Sequence, residues 1–294
     1  YSESKIQRSK IRLQRLKFVN QVDVNKTIID ENNGYIDIDF LLDETQSGEF
    51  KIGAGYSDSS GAIFNVKVQQ DNFLGKGNNV ALELEKSSYK KLLRYRNTNP
   101  YFTEDGISKS TSFVLSQTDV SETSTAAYIS DTFAYGVDYN VPISEDRSYG
   151  YGAEIILTEY TTTIGSPTNV TNFLNEHGDS HFGIMFKANI VEDTRDRTVY
   201  ATQGKRQSIT SNLFIKPDLD YSYTSIKFSG EYNTPYRLSF LDMFDWDTVF
   251  QIKPQIGIGT GLFGESNLPF HDKYFAGGDR TVRGYDSGSL GPLR

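Results

Sequence analysis

The sequence predicts a mainly β chain: an antiparallel barrel of the transmembrane kind, preceded by a partial α/β unit. Three observations point there. From residue 49 onward, apolar and polar residues alternate with period two in segment after segment, the pattern of strands with two unlike faces. The chain holds 19 Tyr and 19 Phe while its mean hydropathy is −0.49, which suits strands facing lipid on one side and a polar lumen on the other, with aromatic girdles at the interfaces. No run of roughly 18 apolar residues occurs, so membrane crossing falls to strands of about 10 residues and not to helices.

Composition narrows the function classes. At 294 residues the chain has room for one large β domain or two ordinary ones. Cys is absent, which removes disulfide and thiolate chemistry and is compatible with a bacterial envelope protein. A net charge of −8 argues against nucleic acid as a partner, because phosphate binding needs a basic surface. No nucleophile–base pair or convergent metal set stands out, so the chain does not read as an enzyme and no cofactor or metal is expected. No signal peptide is present, and Tyr1 starts inside a helical pattern, so upstream sequence is expected.

In chain order, residues 2–19 read as a helix, with Ile6, Leu13 and Leu16 at helical spacing and a basic, solvated face opposite. Two strands follow, around Val22-Asp23-Val24 and over Tyr35–Phe40, with Asn32-Asn33-Gly34 as the turn between them. The polar stretch 43–48 marks a domain boundary. Strands then come one after another. Glu49–Ser57 is followed by a turn at Asp58-Ser59-Ser60-Gly61, and Phe133–Val141 and Phe182–Ile190 have outward apolar faces. Residues 164–180 read as a long polar loop, and no helix beyond about two turns is expected within 49–262.

His177 and His181 stand four apart, but Gly178 separates them and an extended chain sets them about 13 Å apart, too far to share a metal. Gly257-Ile258-Gly259-Thr260-Gly261 lacks the βαβ context of a dinucleotide loop, which leaves strand bending or close backbone approach. Roughly eleven strands precede the Arg283 loop.

The run Tyr274-Phe275-Ala276-Gly277-Gly278-Asp279-Arg280-Thr281-Val282-Arg283-Gly284-Tyr285 is too rich in Gly, Arg and aromatics for an ordinary hairpin turn. Glycine permits close approach, and the arginine fork suits a carboxylate bidentately. Val282-Arg283-Gly284-Tyr285 resembles the signature of the BamA family of outer-membrane assembly barrels and of their relatives, the two-partner secretion transporters. Three further stretches resemble turns of the same family. They are Gln70-Asp71-Asn72-Phe73-Leu74-Gly75-Lys76-Gly77, Asn99-Pro100-Tyr101-Phe102-Thr103-Glu104-Asp105-Gly106, and Asp193-Thr194-Arg195-Asp196 with Thr202-Gln203-Gly204.

The resemblance implies a sixteen-stranded barrel of which about eleven strands are present. Residues 1–46 would be the C-terminal part of a POTRA domain in the periplasm, and residues 47–294 an outer-membrane barrel ending after the signature loop. It implies that this loop folds back into the lumen, with Arg283 an internal tether to a carboxylate or stacking partner near the closing strands. It implies a lateral gate at the first barrel strand, which carries Phe50, Ile52, Gly53 and Gly55. The implied function is assembly and insertion of other outer-membrane barrels without ATP. Its implied partners are unfolded outer-membrane proteins, accessory assembly lipoproteins and outer-membrane lipid. The alternative is a two-partner secretion transporter that exports a partner protein through the lumen.

Overall fold

The computed structural model describes the chain except residues 1, 15, 17, 31–34, 46–47, 58–60, 121–126, 199, 237–247, 265–266, 279–280, 286–288 and 292–294. The turns read at Asn32-Asn33-Gly34 and Asp58-Ser59-Ser60 lie outside the described residues.

The first unit is small. Helix α1 (Glu3–Gln14) packs on β1 (Val19–Asp30), which pairs antiparallel with β2 (Tyr35–Glu44). Ile6, Val19 and Val22 are its buried apolar residues. The helix is shorter than the 2–19 pattern, and β1 is longer than the three residues that alternate most clearly.

All other strands form one antiparallel sheet in strict chain order. It runs β3 (Gly48–Ser57), β4 (Gly61–Gln70), β5 (Asn79–Lys86), β6 (Lys90–Asn99), β7 (Ser108–Asp119), β8 (Tyr128–Pro142), β9 (Arg147–Thr162), β10 (Ser180–Asp193), β11 (Gly204–Ile215) and β12 (Tyr223–Pro235). Two short strands, β13 (Val249–Ile252) and β14 (Gln255–Gly261), then both pair with β12. They flank Lys253-Pro254, and Pro has no N–H to give a ladder, so they are two halves of one interrupted rung. Counted in this way, the described residues give the sheet eleven rungs, in line with the roughly eleven that the alternation predicts.

Register sorts the faces. Val66, Leu84, Leu93, Leu115, Phe133, Leu157 and Phe182 lie in one row across β4–β10. The next row of that face holds Val68, Leu82, Tyr95, Phe113, Tyr135, Ile155 and Ile184. The opposite face carries Glu83 paired with Arg94 at 3.2 Å and Glu154 paired with Lys187. An apolar face left exposed beside a face of paired charges is the pattern of lipid outside and water inside. Near the end with the short turns, Phe102, Tyr139, Tyr151 and Tyr149 form a chain of ring contacts on the outer face. Lys109 sits 5.0 Å over the Phe102 ring. Amphipathic rings and a snorkelling lysine suit a membrane–water boundary.

The loop read at 164–180 contains a helix, α2 (Thr168–His177), longer than the two turns expected as a limit. Val170, Phe173 and Leu174 recur at i, i+3 and i+4, and Val170 and Leu174 are buried. Pro167, where a helix tolerates proline, and Gly178 bracket it. Because α2 lies between β9 and β10 and outside the ladder, the sheet is not interrupted.

Candidate functional site

The site is the lumen face at the loop end, where the segment after β14 returns across the sheet. Leu268 and Pro269 lead into a short 3-10 turn, Phe270–Asp272. Phe270 is buried and meets Tyr128 of β8 at 5.1 Å and Tyr160 of β9 at 5.3 Å, both in edge-on geometry. Tyr128 and Tyr160 share the parity of Thr132 and Thr158, the lumen face. A segment that follows β14 and touches β8 has crossed the inside of the sheet.

A ring cluster holds it there. Phe173 of α2 touches His177, His181, Tyr221, Phe270 and His271. Edge-to-face ring pairs contribute about 0.5–1.5 kcal/mol each beyond burial. His181 is only 2% exposed, shut in by the rings of Tyr160, Phe173 and Tyr221. Nδ1 of His177 lies 2.9 Å from Asp220, which also accepts a bond from Lys216 at 3.3 Å, so α2 is tied to the loop after β11 as well. Among the described residues, no three His, Asp or Glu side chains gather closely enough to hold a metal ion.

Beyond the turn the segment forms a small hairpin. Ala276 and Leu290 bridge, and the Gly278 N–H donates to the Tyr285 carbonyl at 2.9 Å. The Thr281 hydroxyl accepts from the Gly277 N–H at 2.8 Å and donates to the Gly277 carbonyl at 2.7 Å. Val282, Arg283, Gly284 and Tyr285 form the tip. All four are exposed, and Gly284 has φ +88, which favours glycine. Among the described residues Arg283 has no ion pair, so the hairpin exposes the signature without giving its guanidinium a carboxylate.

The other predicted group lies apart, at the sheet edge. β3 pairs with β4 and is last in the strand order. Phe50 and Ile52 share the outer rows of Val68 and Val66 and are 65% and 71% exposed, whereas Gly53 and Gly55 have the opposite parity.

At the turn end, the stretch Asp193–Asp196 with Thr202–Gly204, which resembles a turn of the family, builds a clamp. Arg195 donates to Asp193 at 2.8 and 2.9 Å and to Glu231 at 3.3 Å, joining the β10–β11 turn to β12. Asp193 raises the Arg195 pKa still further above its ordinary value. Asp196 accepts from the Thr202 hydroxyl at 2.6 Å and from the Thr202 and Gln203 N–H groups, which together lower its pKa to about 2. Aromatic partners far apart in sequence, such as Tyr160 and Phe270, left no local signal. The i, i+3, i+4 spacing of Val170, Phe173 and Leu174 was the available clue to the helix.

A sheet with an apolar outer face, a charged lumen and a loop turned inward is the wall of an outer-membrane-type β-barrel. Residues 72–293 match the Omp85 superfamily domain, and the chain belongs to that superfamily. It is 26% identical over 302 residues to the outer membrane protein assembly factor BamA of Neisseria meningitidis serogroup B, covering 99% of this chain and 37% of the relative. The chain thus spans well under half of that relative. Among solved structures it is similar to BamA from Haemophilus ducreyi lacking POTRA domains 1–3, with TM-score 0.82 and 24% identity over 99% of this chain and 56% of that one. CdiB from Acinetobacter baumannii shares the fold at TM-score 0.52 and 15% identity, covering 95% of this chain and 50% of that one.

Proposed function

We propose that this chain is part of an outer-membrane β-barrel assembly and insertion factor that works without ATP, by templating substrate strands on the edge of β3. The observation that carries the reading is the position of β3. Among the described residues it ends the strand order and pairs with β4 on one side, and a strand at a sheet edge is a template for β-augmentation. Gly53 and Gly55 weaken the strand, which lowers the cost of parting it from a closing strand. Similarity to the meningococcal assembly factor supports the same reading. Residues 1–46 then act as the end of a periplasmic POTRA domain. The partners are unfolded outer-membrane proteins, accessory lipoproteins and outer-membrane lipid. The secretion-transporter alternative draws on the CdiB likeness, but the fold is far nearer the Haemophilus BamA barrel, at TM-score 0.82 against 0.52.

These 294 residues hold no Cys, so a cysteine introduced in β3 has no competitor within them. Ile52→Cys would be combined with a cysteine on the closing strand of the intact protein. Oxidation should arrest barrel assembly, and reduction should restore it. Assembly at the parental rate with the pair fully oxidised rules out gating at this seam.

A further inference from the structure

Three glycines, Gly257, Gly259 and Gly261, fall on the lumen face of β14, in register with Lys227, Ser225 and Tyr223 of β12. Strand bending does not account for them. The β12–β14 register is unbroken from Gln255 to Gly261, and none of the three has positive φ. Space does account for two of them. A Cβ built on Gly259 would meet Leu268 at Cδ1, with Cγ and Cδ2 both at 2.8 Å. A Cβ on Gly257 would meet the Tyr274 ring, with Cζ, Cε2 and Cε1 at 2.5, 2.6 and 2.8 Å. The Leu268 Cγ lies next to its own Cβ, so a change of χ2 does not clear the clash, and Leu268 has to leave its χ1 rotamer or shift its backbone. The Tyr274 ring offers a flat face with three atoms in the way, so tilting the ring relieves one contact and tightens another.

Leu268 and Tyr274 bracket the segment that leads to the signature hairpin, and Phe270 between them is pinned by Tyr128 and Tyr160. We propose that Gly257 and Gly259 are positioning residues for the signature loop. They are notches in the barrel wall that receive Leu268 and Tyr274 and so set how deeply the hairpin bearing Arg283 sits in the lumen. Only the effect on activity rests on the assembly reading; the seat itself stands on these contacts.

The test is limited trypsin digestion of the intact protein in its membrane, reading cleavage after Lys273 and Arg283 by mass spectrometry. Folded protein is selected beforehand by its heat-dependent gel mobility. Gly259→Val should raise the loop cleavage rate tenfold or more, and Gly257→Val should do the same. Combining Gly259→Val with Leu268→Ala, or Gly257→Val with Tyr274→Ala, should bring the rate back to within about threefold of the parent, because volume is removed where it was added. Leu268→Ala alone, which keeps both glycines, should loosen the loop severalfold, so the seat is testable even where a valine variant fails to fold. Parental cleavage in Leu268→Ala, or double variants cleaved as fast as the single ones, overturns the proposal. Digestion needs no substrate. A well-seated loop in a protein that assembles nothing therefore counts against the assembly reading and leaves the seat standing.

Discussion

His271 links the loop to pH through its surroundings. Its ring stacks on Tyr160 at 5.3 Å and meets Phe173 and Tyr223 edge-on. Although the residue as a whole is part-buried, its Nδ1 is shut off from solvent and has no partner. Burial lowers its pKa from 6.5 to about 4, partly opposed by neighbouring Asp272. The folded state therefore binds fewer protons than the unfolded state between these values, so stability falls as pH drops from about 6.5 to 4 and levels off below. At the turn end Asp196, held near 2, loses its contribution only below the ordinary carboxylate range. Burial lowers the pKa of His181 to about 4 as well, so melting of detergent-solubilised protein followed by circular dichroism should show a midpoint that falls between pH 6.5 and 4, and His271→Phe should remove part of that fall. An identical slope in the variant means that another group titrates. Nothing local in the sequence marks His271, because its partners come from β9, β12 and α2. Gly257 and Gly259 were legible as sites of close approach, but what approaches them was not.

The strands were readable at the scale of elements because each one repeats a single physical demand, lipid on one side and water on the other. That demand makes a prediction. Tyr135 points outward in the row of Phe113 and Ile155, whereas Asn140 has the opposite parity. Tyr135→Arg should cost about 2–4 kcal/mol and reduce the folded fraction in membranes, and Asn140→Arg should leave it near the parent. Equal tolerance of both arginines would reverse the facing assigned to β8. Helix α2 escaped the reading because its ten residues show only Val170, Phe173 and Leu174 as an apolar face, between polar neighbours typical of an outer loop. Its stability comes from rings supplied by distant strands, and tertiary packing of this kind leaves no trace in local propensity. The charged turn around Arg195 was visible as charge, but its bond to Glu231, thirty-six residues on, was not.

For the whole molecule, the signature loop is where family resemblance and geometry meet. Arg283 stands exposed at the hairpin tip, and we expect it to reach a carboxylate on the wall of the intact barrel. Breaking a buried pair costs about 3–5 kcal/mol, so Arg283→Ala should lower barrel stability and assembly rate together. Arg283→Lys should rescue poorly because an ammonium lacks the planar fork. Parental behaviour of the lysine variant in both assays would mean that charge alone suffices. The strand order carries a further consequence, one of timing. Since β3 to β12 pair in the order they leave the ribosome, each ladder closes over a short stretch of chain, and loop-closure entropy stays small at every step. The contact of Phe270 with Tyr128 is of another kind, because it spans more than a hundred residues and needs β8 through β14 already in place. Docking of the loop therefore comes late in folding, and a seated hairpin is a record that this much of the wall has been built.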